Sequence, residues 1–194
     1  MLLFNRWDVK DVKTGDPGLE KYINLDVVLV PLSSGKHGNL HKTKVSIVER
    51  FMNRLMVPGH RGKRHKITSG RNTGKKHIIY ASTKEALEII ERKIKKNPVQ
   101  VMVTAIENCA LLEEVAGYRL GSIIARKSVT VSPKRRLDLA LRYLTQGIYK
   151  KTFKNKRSLA NTIADELIAA YNSDPKCFGI SERNRMEREA EGAR

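Results

Sequence analysis

No stretch of the chain approaches the roughly 18 consecutive apolar residues that a membrane-crossing helix needs, and its opening, Met1-Leu2-Leu3-Phe4, is too short for a signal sequence. The expectation is a soluble, cytoplasmic protein with no membrane partner. There are only two cysteines, Cys109 and Cys177, too few for a disulfide framework; one is expected to pack in a helix and the other near a loop. Acidic residues are scarce, 20 against 38 Lys and Arg, for a net charge of +18. Such an imbalance says little about fold but favours nucleic acid or another anionic surface as partner.

Catalytic constellations are missing too. Gly70-Arg71-Asn72-Thr73-Gly74-Lys75-Lys76 resembles a phosphate-binding loop. It is one residue short between its glycines and lacks the Ser or Thr that would hold magnesium. His60, His65 and His77 have neither paired cysteines nor a His-Glu-x-x-His helix to make a zinc site. Glu113 and Glu114 are adjacent, so on a strand they point to opposite faces. The chain is therefore expected to be neither an enzyme nor the holder of a cofactor or metal.

What is present is enough for a core: 194 residues, 40% of them apolar, which can bury about 70% of the unfolded surface. The pattern is mainly α, a single domain of about six helices with a β-hairpin protruding between two of them and an extended N-terminal arm. The arm, 1–40, holds a short strand over 26–32, and Trp7 and Tyr22 are expected to anchor it. A helix is read over 43–57, with Ser46 and Glu49 at capping-box spacing, and another over 82–96, with Ser82 and Glu85 in the same relation. Asn97-Pro98-Val99-Gln100 opens a helix with Val99, Met102, Val103, Ile106 and Ala110 on one face. A hairpin follows over 113–131, turning at Gly121-Ser122. Ser132-Pro133 opens the next helix, with Leu137, Ala140, Leu141, Leu144 and Ile148 as its buried stripe. Residues 158–171 form one more. From Ser181 the tail is helix-prone but has only Met186 and Ala190 as apolar residues, so it must rest on a partner or fray.

Lys134-Arg135-Arg136 sits in the first turn of a helix, where cations are each disfavoured by about 0.3–1 kcal/mol. Asp138 is placed to relieve Lys134, but Arg135 and Arg136 have no acidic neighbour in sequence. The dipole argument predicts that changing both to Glu leaves the free protein no less stable. Either the turn is simply solvated or a polyanion compensates it. The basic charge is also concentrated. Residues 41–77 hold eleven basic side chains and one acidic; 126–157 hold the same numbers, so the rest of the chain sums to −2. Within 58–77 there are seven Lys or Arg, four Gly and no acid. That composition describes either a solvated loop or a segment that folds against phosphates.

The ordered set Val45-Ser46-Ile47-Val48-Glu49-Arg50, Asn97-Pro98-Val99-Gln100-Val101 with Ala105-Ile106-Glu107-Asn108, and Val131-Ser132-Pro133-Lys134-Arg135-Arg136 resembles the small-subunit ribosomal protein seven family. Ala140-Leu141-Arg142 and Ala164-Asp165-Glu166-Leu167-Ile168 extend the likeness towards the C-terminus. Trp7, Tyr22-Ile23-Asn24-Leu25 and the basic insertion over 58–77 look like its archaeal and eukaryotic branch.

The resemblance implies a structural constituent of the small ribosomal subunit that binds and organises the 3′ major (head) domain of its rRNA. It implies a ribosome-bound location, with proteins nine, eleven and thirteen of the head and platform as neighbours. On that reading 41–180 is the rRNA-binding domain and 181–194 a helical tail. Lys134, Arg135, Arg136 and Arg142 carry over as phosphate contacts. The charge map adds Lys42, Lys44, Arg61, Lys63, Arg64, Lys66, Arg71, Lys75 and Lys76, and then Lys150, Lys151, Lys154, Lys156 and Arg157. The hairpin, through Arg119, Gly121, Ser122, Arg126 and Lys127, would lie beside exit-site tRNA and the mRNA exit path. One departure is that the hairpin opens as Leu111-Leu112-Glu113-Glu114, where the family usually has Pro-Arg-acidic, so the body is expected to bind rRNA more than the hairpin does. Two other readings are an architectural DNA-binding protein, whose basic hairpin would enter a minor groove, and a nonribosomal scaffold acting through the tail.

Overall fold

The computed structural model describes residues 2–27, 44–59 and 72–194. Among them the order is α1 (Pro17–Glu20), α2 (Ile47–Met56), α3 (Lys76–Ile94), α4 (Pro98–Asn108), β1 (Glu113–Leu120), β2 (Ile123–Thr130), α5 (Pro133–Thr152), α6 (Leu159–Tyr171) and α7 (Phe178–Glu191). The mainly α expectation with a hairpin between two helices holds.

Helix α4 is the centre. Val99, Val101, Met102, Val103, Ala105 and Ile106 are all buried, so the apolar surface is wider than the stripe read from spacing, and a polar side remains at Gln100, Thr104 and Glu107. A helix with so wide an apolar surface packs on several neighbours at once, and α3, α5 and α6 are those neighbours. Asn97 caps it by accepting from the Val99 N–H at 3.0 Å. Gln100 does not turn back to the cap. It pairs with the arm, taking the Lys13 N–H and giving to the Lys13 carbonyl, each at 2.8 Å.

The arm is woven into the core. Leu3, Phe4, Trp7, Val12, Leu19 and Ile23 are buried, and Phe4 packs edge-on against Trp7 at 5.9 Å. Asp16 caps α1 through the Gly18 N–H, with Pro17 in the first turn. Only Asp26 and Val27 of the expected strand are described, neither in a strand; the remainder lies outside the described residues.

Two helix starts differ from the sequence reading. Ser46 is the cap position of α2, but its hydroxyl makes no capping bond, and Glu49 reaches sideways to Lys76 instead. Helix α3 starts six residues before Ser82, because Ile79 continues the buried row of Thr83, Ala86 and Ile90 back by another turn. Lys76, in that added turn, is held by Glu49 and, at 2.8 Å, by Asn53 of α2.

The hairpin pairs Glu113 with Thr130 through Leu120 with Ile123, leaving Gly121-Ser122 as a two-residue loop. Gly121 at φ +59° supplies the first position of a type II′ turn, the kind that matches strand twist. Its base is a small cluster of Leu111, Val131 and Leu139. The tail neither frays nor waits for another chain. Helix α7 lies along the hairpin, with Glu187 accepting the Leu112 N–H at 3.0 Å and Arg194 clasping Glu113 at 2.8 Å. At its other end Glu166, fully buried, takes the Phe178 N–H at 2.7 Å and pairs with Lys151. Gly147 makes this corner possible, since a Cβ there would come within 2.6 Å of both Glu166 and Phe178. Cys109 and Cys177 are free thiols, buried together at the ends of α4 and α7.

Candidate nucleic-acid interface

The basic side chains divide into those committed within the chain and those left facing solvent. Lys134-Arg135-Arg136 are placed by Ser132 and Pro133 at the start of α5, as expected, but the frustration there is relieved internally. Arg135 grips Glu114 of β1 with two bonds, 2.6 and 2.9 Å long, an arrangement that raises its pKa. Arg136 reaches Asp16 of the arm at 2.7 Å and the Leu111 carbonyl at 3.1 Å, with its side chain only 11% exposed. The hydrogen bond from Arg136 holds the Asp16 carboxyl below its usual range. Asp138, assigned from spacing to Lys134, pairs with Arg50 at 3.0 Å. These partners are distant in sequence and could not be found by looking four residues away.

Other members of the basic set are also engaged. Lys76 is tied to Glu49, and Lys151 to Glu166 and, at 3.1 Å, the Lys176 carbonyl. Arg157 shares Asp165 with Lys93, at 3.1 and 2.8 Å. By contrast, no carboxylate among the described residues pairs with Lys44, Lys75, Arg142, Lys150, Lys154 or Lys156, all of them exposed. Tyr149 and Phe153 stack at 6.1 Å with Lys154 over the Phe153 ring, so the loop after α5 presents an aromatic face, 40% exposed at Phe153, among cations. Such a combination suits a nucleic-acid backbone and a base. On the hairpin, Arg119 bonds the carbonyl of the turn residue Gly121 at 2.9 Å next to the exposed Ser122, while Arg126 and Lys127 stand exposed farther along β2, opposite Gly117 and Ala116. Lys42, Arg61, Lys63, Arg64, Lys66 and Arg71 lie outside the described residues, as does most of the 58–77 segment; its last residues, Lys76 and His77, are the first of α3.

Two residues missing from the sequence-derived set belong beside these. Arg54 of α2 and Gln146 of α5 lie on the seam between the helices, and each has a buried nitrogen without a hydrogen-bond partner among the described residues. Arg54 is held below its usual pKa by burial and by the nearby Arg142 charge, partly opposed by Asp138. Nothing in the sequence marks either residue, because the signal is the missing partner and not the residue type.

Comparison with known proteins places the chain among ribosomal proteins. The family described as ribosomal protein S7p/S5e matches residues 20–194. The small ribosomal subunit protein uS7 of Nanoarchaeum equitans is 43% identical over 196 residues, covering 100% of this chain and 99% of that one. The protein of the same name from Archaeoglobus fulgidus is also 43% identical, over 100% of this chain and 95% of its own. That from Methanococcoides burtonii is 43% identical over 99% and 98%.

Proposed function

The chain belongs to the ribosomal protein S7p/S5e family, a structural, non-enzymatic constituent of the small ribosomal subunit that binds its rRNA, and from that premise we propose which surfaces make the contacts. The rRNA-binding surface is the α2–α5 face together with the loop after α5. The observation that carries this is the partition of charge: Lys44, Lys75, Arg142, Lys150, Lys154 and Lys156 keep their charge unpaired and exposed, whereas Arg135, Arg136 and Lys151 are held by carboxylates of the same chain. Cations with no carboxylate partner gain most from phosphate, since they give up no ion pair. Arg135, half-exposed, and Arg157 remain able to share their charge with RNA. Arg136 acts from behind by fixing the arm to α5.

The RNA is the 3′ major domain, which the protein organises into the head, working in the cytoplasm with proteins nine, eleven and thirteen as neighbours. Lys42, Arg61, Lys63, Arg64, Lys66 and Arg71 extend the same surface. The hairpin, through Arg119, Arg126 and Lys127, is the side turned to exit-site tRNA and mRNA. Its exposed tip, with Ile123 and Ile124 about 70% accessible, supports a contact made after the body has docked. The comparisons give no support to the architectural DNA-binding reading.

A chemical footprint of the protein on an isolated 3′ major domain transcript tests the assignment. Protections confined to one cluster of helices, lost on changing Lys150, Lys154 and Lys156 to Ala, are expected. An unchanged footprint in the triple variant would overturn it.

A further inference from the structure

Helices α2 and α5 meet along a seam whose residues face one another in steps of four, 50 and 54 against 138, 142 and 146. The first step is closed by the Arg50–Asp138 pair at 3.0 Å. The second sets Arg54 beside Arg142, like charge against like, with no carboxylate paired to either among the described residues. At the third, Gly59, at φ +72°, brings the position of its missing Cβ to 3.6 Å from Gln146 Nε2. Gln146 is only 6% exposed, and its Nε2 has no hydrogen-bond partner among the described residues; Arg54 Nε, also buried, has none either. Buried donors left without an acceptor are uncommon in folded proteins, and two of them, one on a guanidinium set beside another guanidinium, describe a site built for something absent. Asp138 acts on Arg54 electrostatically, but its Oδ1 is committed to Arg50.

We propose that this notch is a phosphate seat, in which one backbone phosphate of the rRNA is received by Arg54 and Gln146 from within and by the exposed Arg142 from outside. The inference rests on the rRNA-binding reading and refines it to a single contact. A tetrahedral anion with several acceptor oxygens satisfies three converging donors at once, and guanidinium forks match it in geometry as well as charge. It also removes the cost of setting the two arginines side by side.

The test uses the full chain and a transcript of the 3′ major domain, with affinity measured across a range of salt concentrations. Arg142→Met should keep or raise the melting temperature of the free protein, because a like-charge contact is relieved. It should lower affinity at least tenfold, with the slope of log K against log salt falling by about 0.7–0.9, the value of one phosphate contact. Arg54→Met should do the same to binding, and the double variant should lose little more slope than either alone, because both arginines serve one phosphate. Should Arg54→Met fail to fold, Arg54→Lys keeps the charge but lacks Nε, and should lose affinity with the slope retained. Unchanged affinity in folded Arg142→Met while the wild type binds would overturn the seat and leave the rRNA reading standing. A slope loss of about two in the double variant would overturn it as well, since the arginines would then touch separate phosphates. Failure of the wild type to bind the transcript would remove both.

Discussion

Changing Arg136 to Glu sets two physical arguments against each other. Considered alone, the first turn of α5 should welcome the change, since an acid at a helix N-terminus gains about 0.3–1 kcal/mol. The structure reverses the sign. The Arg136 side chain is 11% exposed, and it bonds the Asp16 carboxylate at 2.7 Å and the Leu111 carbonyl at 3.1 Å. A hydrogen bond to a charged group contributes about 1.5–3 kcal/mol, and a Glu would leave the Leu111 carbonyl unpaired and face Asp16 with its own charge. Asp16 is 32% exposed, so water recovers part of that loss. The net expectation is destabilisation by about 2 kcal/mol or more, a fall in melting temperature of roughly 4–8 °C for a chain of this size. Arg135→Glu is the internal control. Its side chain is 56% exposed, and losing the Glu114 pair should change stability by no more than about 1 kcal/mol. Thermal unfolding followed by circular dichroism measures both. An Arg136→Glu protein as stable as the wild type would refute the claim that this arginine is a structural latch.

Three further outcomes follow from the same contacts. Gly147→Ala should destabilise by about 1–3 kcal/mol in urea titrations despite the better helix propensity of Ala, because its Cβ would press on Glu166 and Phe178; a stabilised variant would contradict this packing. The Asp16 carboxyl sits below its ordinary value of 3.8 in the folded chain, so the stability from its latch is fully present above about pH 4 and lost as pH falls through the folded pKa. Asp16→Asn should flatten that part of the stability–pH curve, and an identical curve would disprove the linkage. Replacing Val115–Ile124 by a short turn should leave the melting temperature nearly unchanged, since none of those residues belongs to the core, and should alter the salt dependence of rRNA binding by about one contact at most. A larger loss would make the hairpin an rRNA anchor.

How much of this was legible in the sequence depends on the range of the interactions. Asn97-Pro98 and Ser132-Pro133 are local signals and mark the starts of α4 and α5; Gly121-Ser122 marks the hairpin turn for the same reason. Capping-box spacing misled at Ser82, where continuation of the buried row through Ile79 outweighs a local cap, and at Ser46, whose partner Glu49 is taken by Lys76. The charge map located the basic segments but could not separate free cations from latched ones. Arg136 finds its acid 120 residues away and Arg135 finds one 21 away, across the hairpin. The resting place of α7 on β1 was hidden likewise, since its contacts are ion pairs and backbone bonds and not an apolar stripe. Arg54 and Gln146 were the hardest to find, because what sets them apart is a bond that none of the described residues supplies.

The central claim is that the α2–α5 face and the loop after α5 lie against the 3′ major domain of small-subunit rRNA. Tethered radical cleavage reads this directly, and the chain suits it, because Cys109 and Cys177 are both fully buried and an introduced thiol is the one that reacts. A cleaving probe on Lys154→Cys, in assembled small subunits, should cut the rRNA strongly and within that domain, whereas the same probe on Lys10→Cys of the arm should cut it weakly. Cleavage from position 154 that is absent, falls outside that domain, or is no stronger than from position 10 would contradict the account.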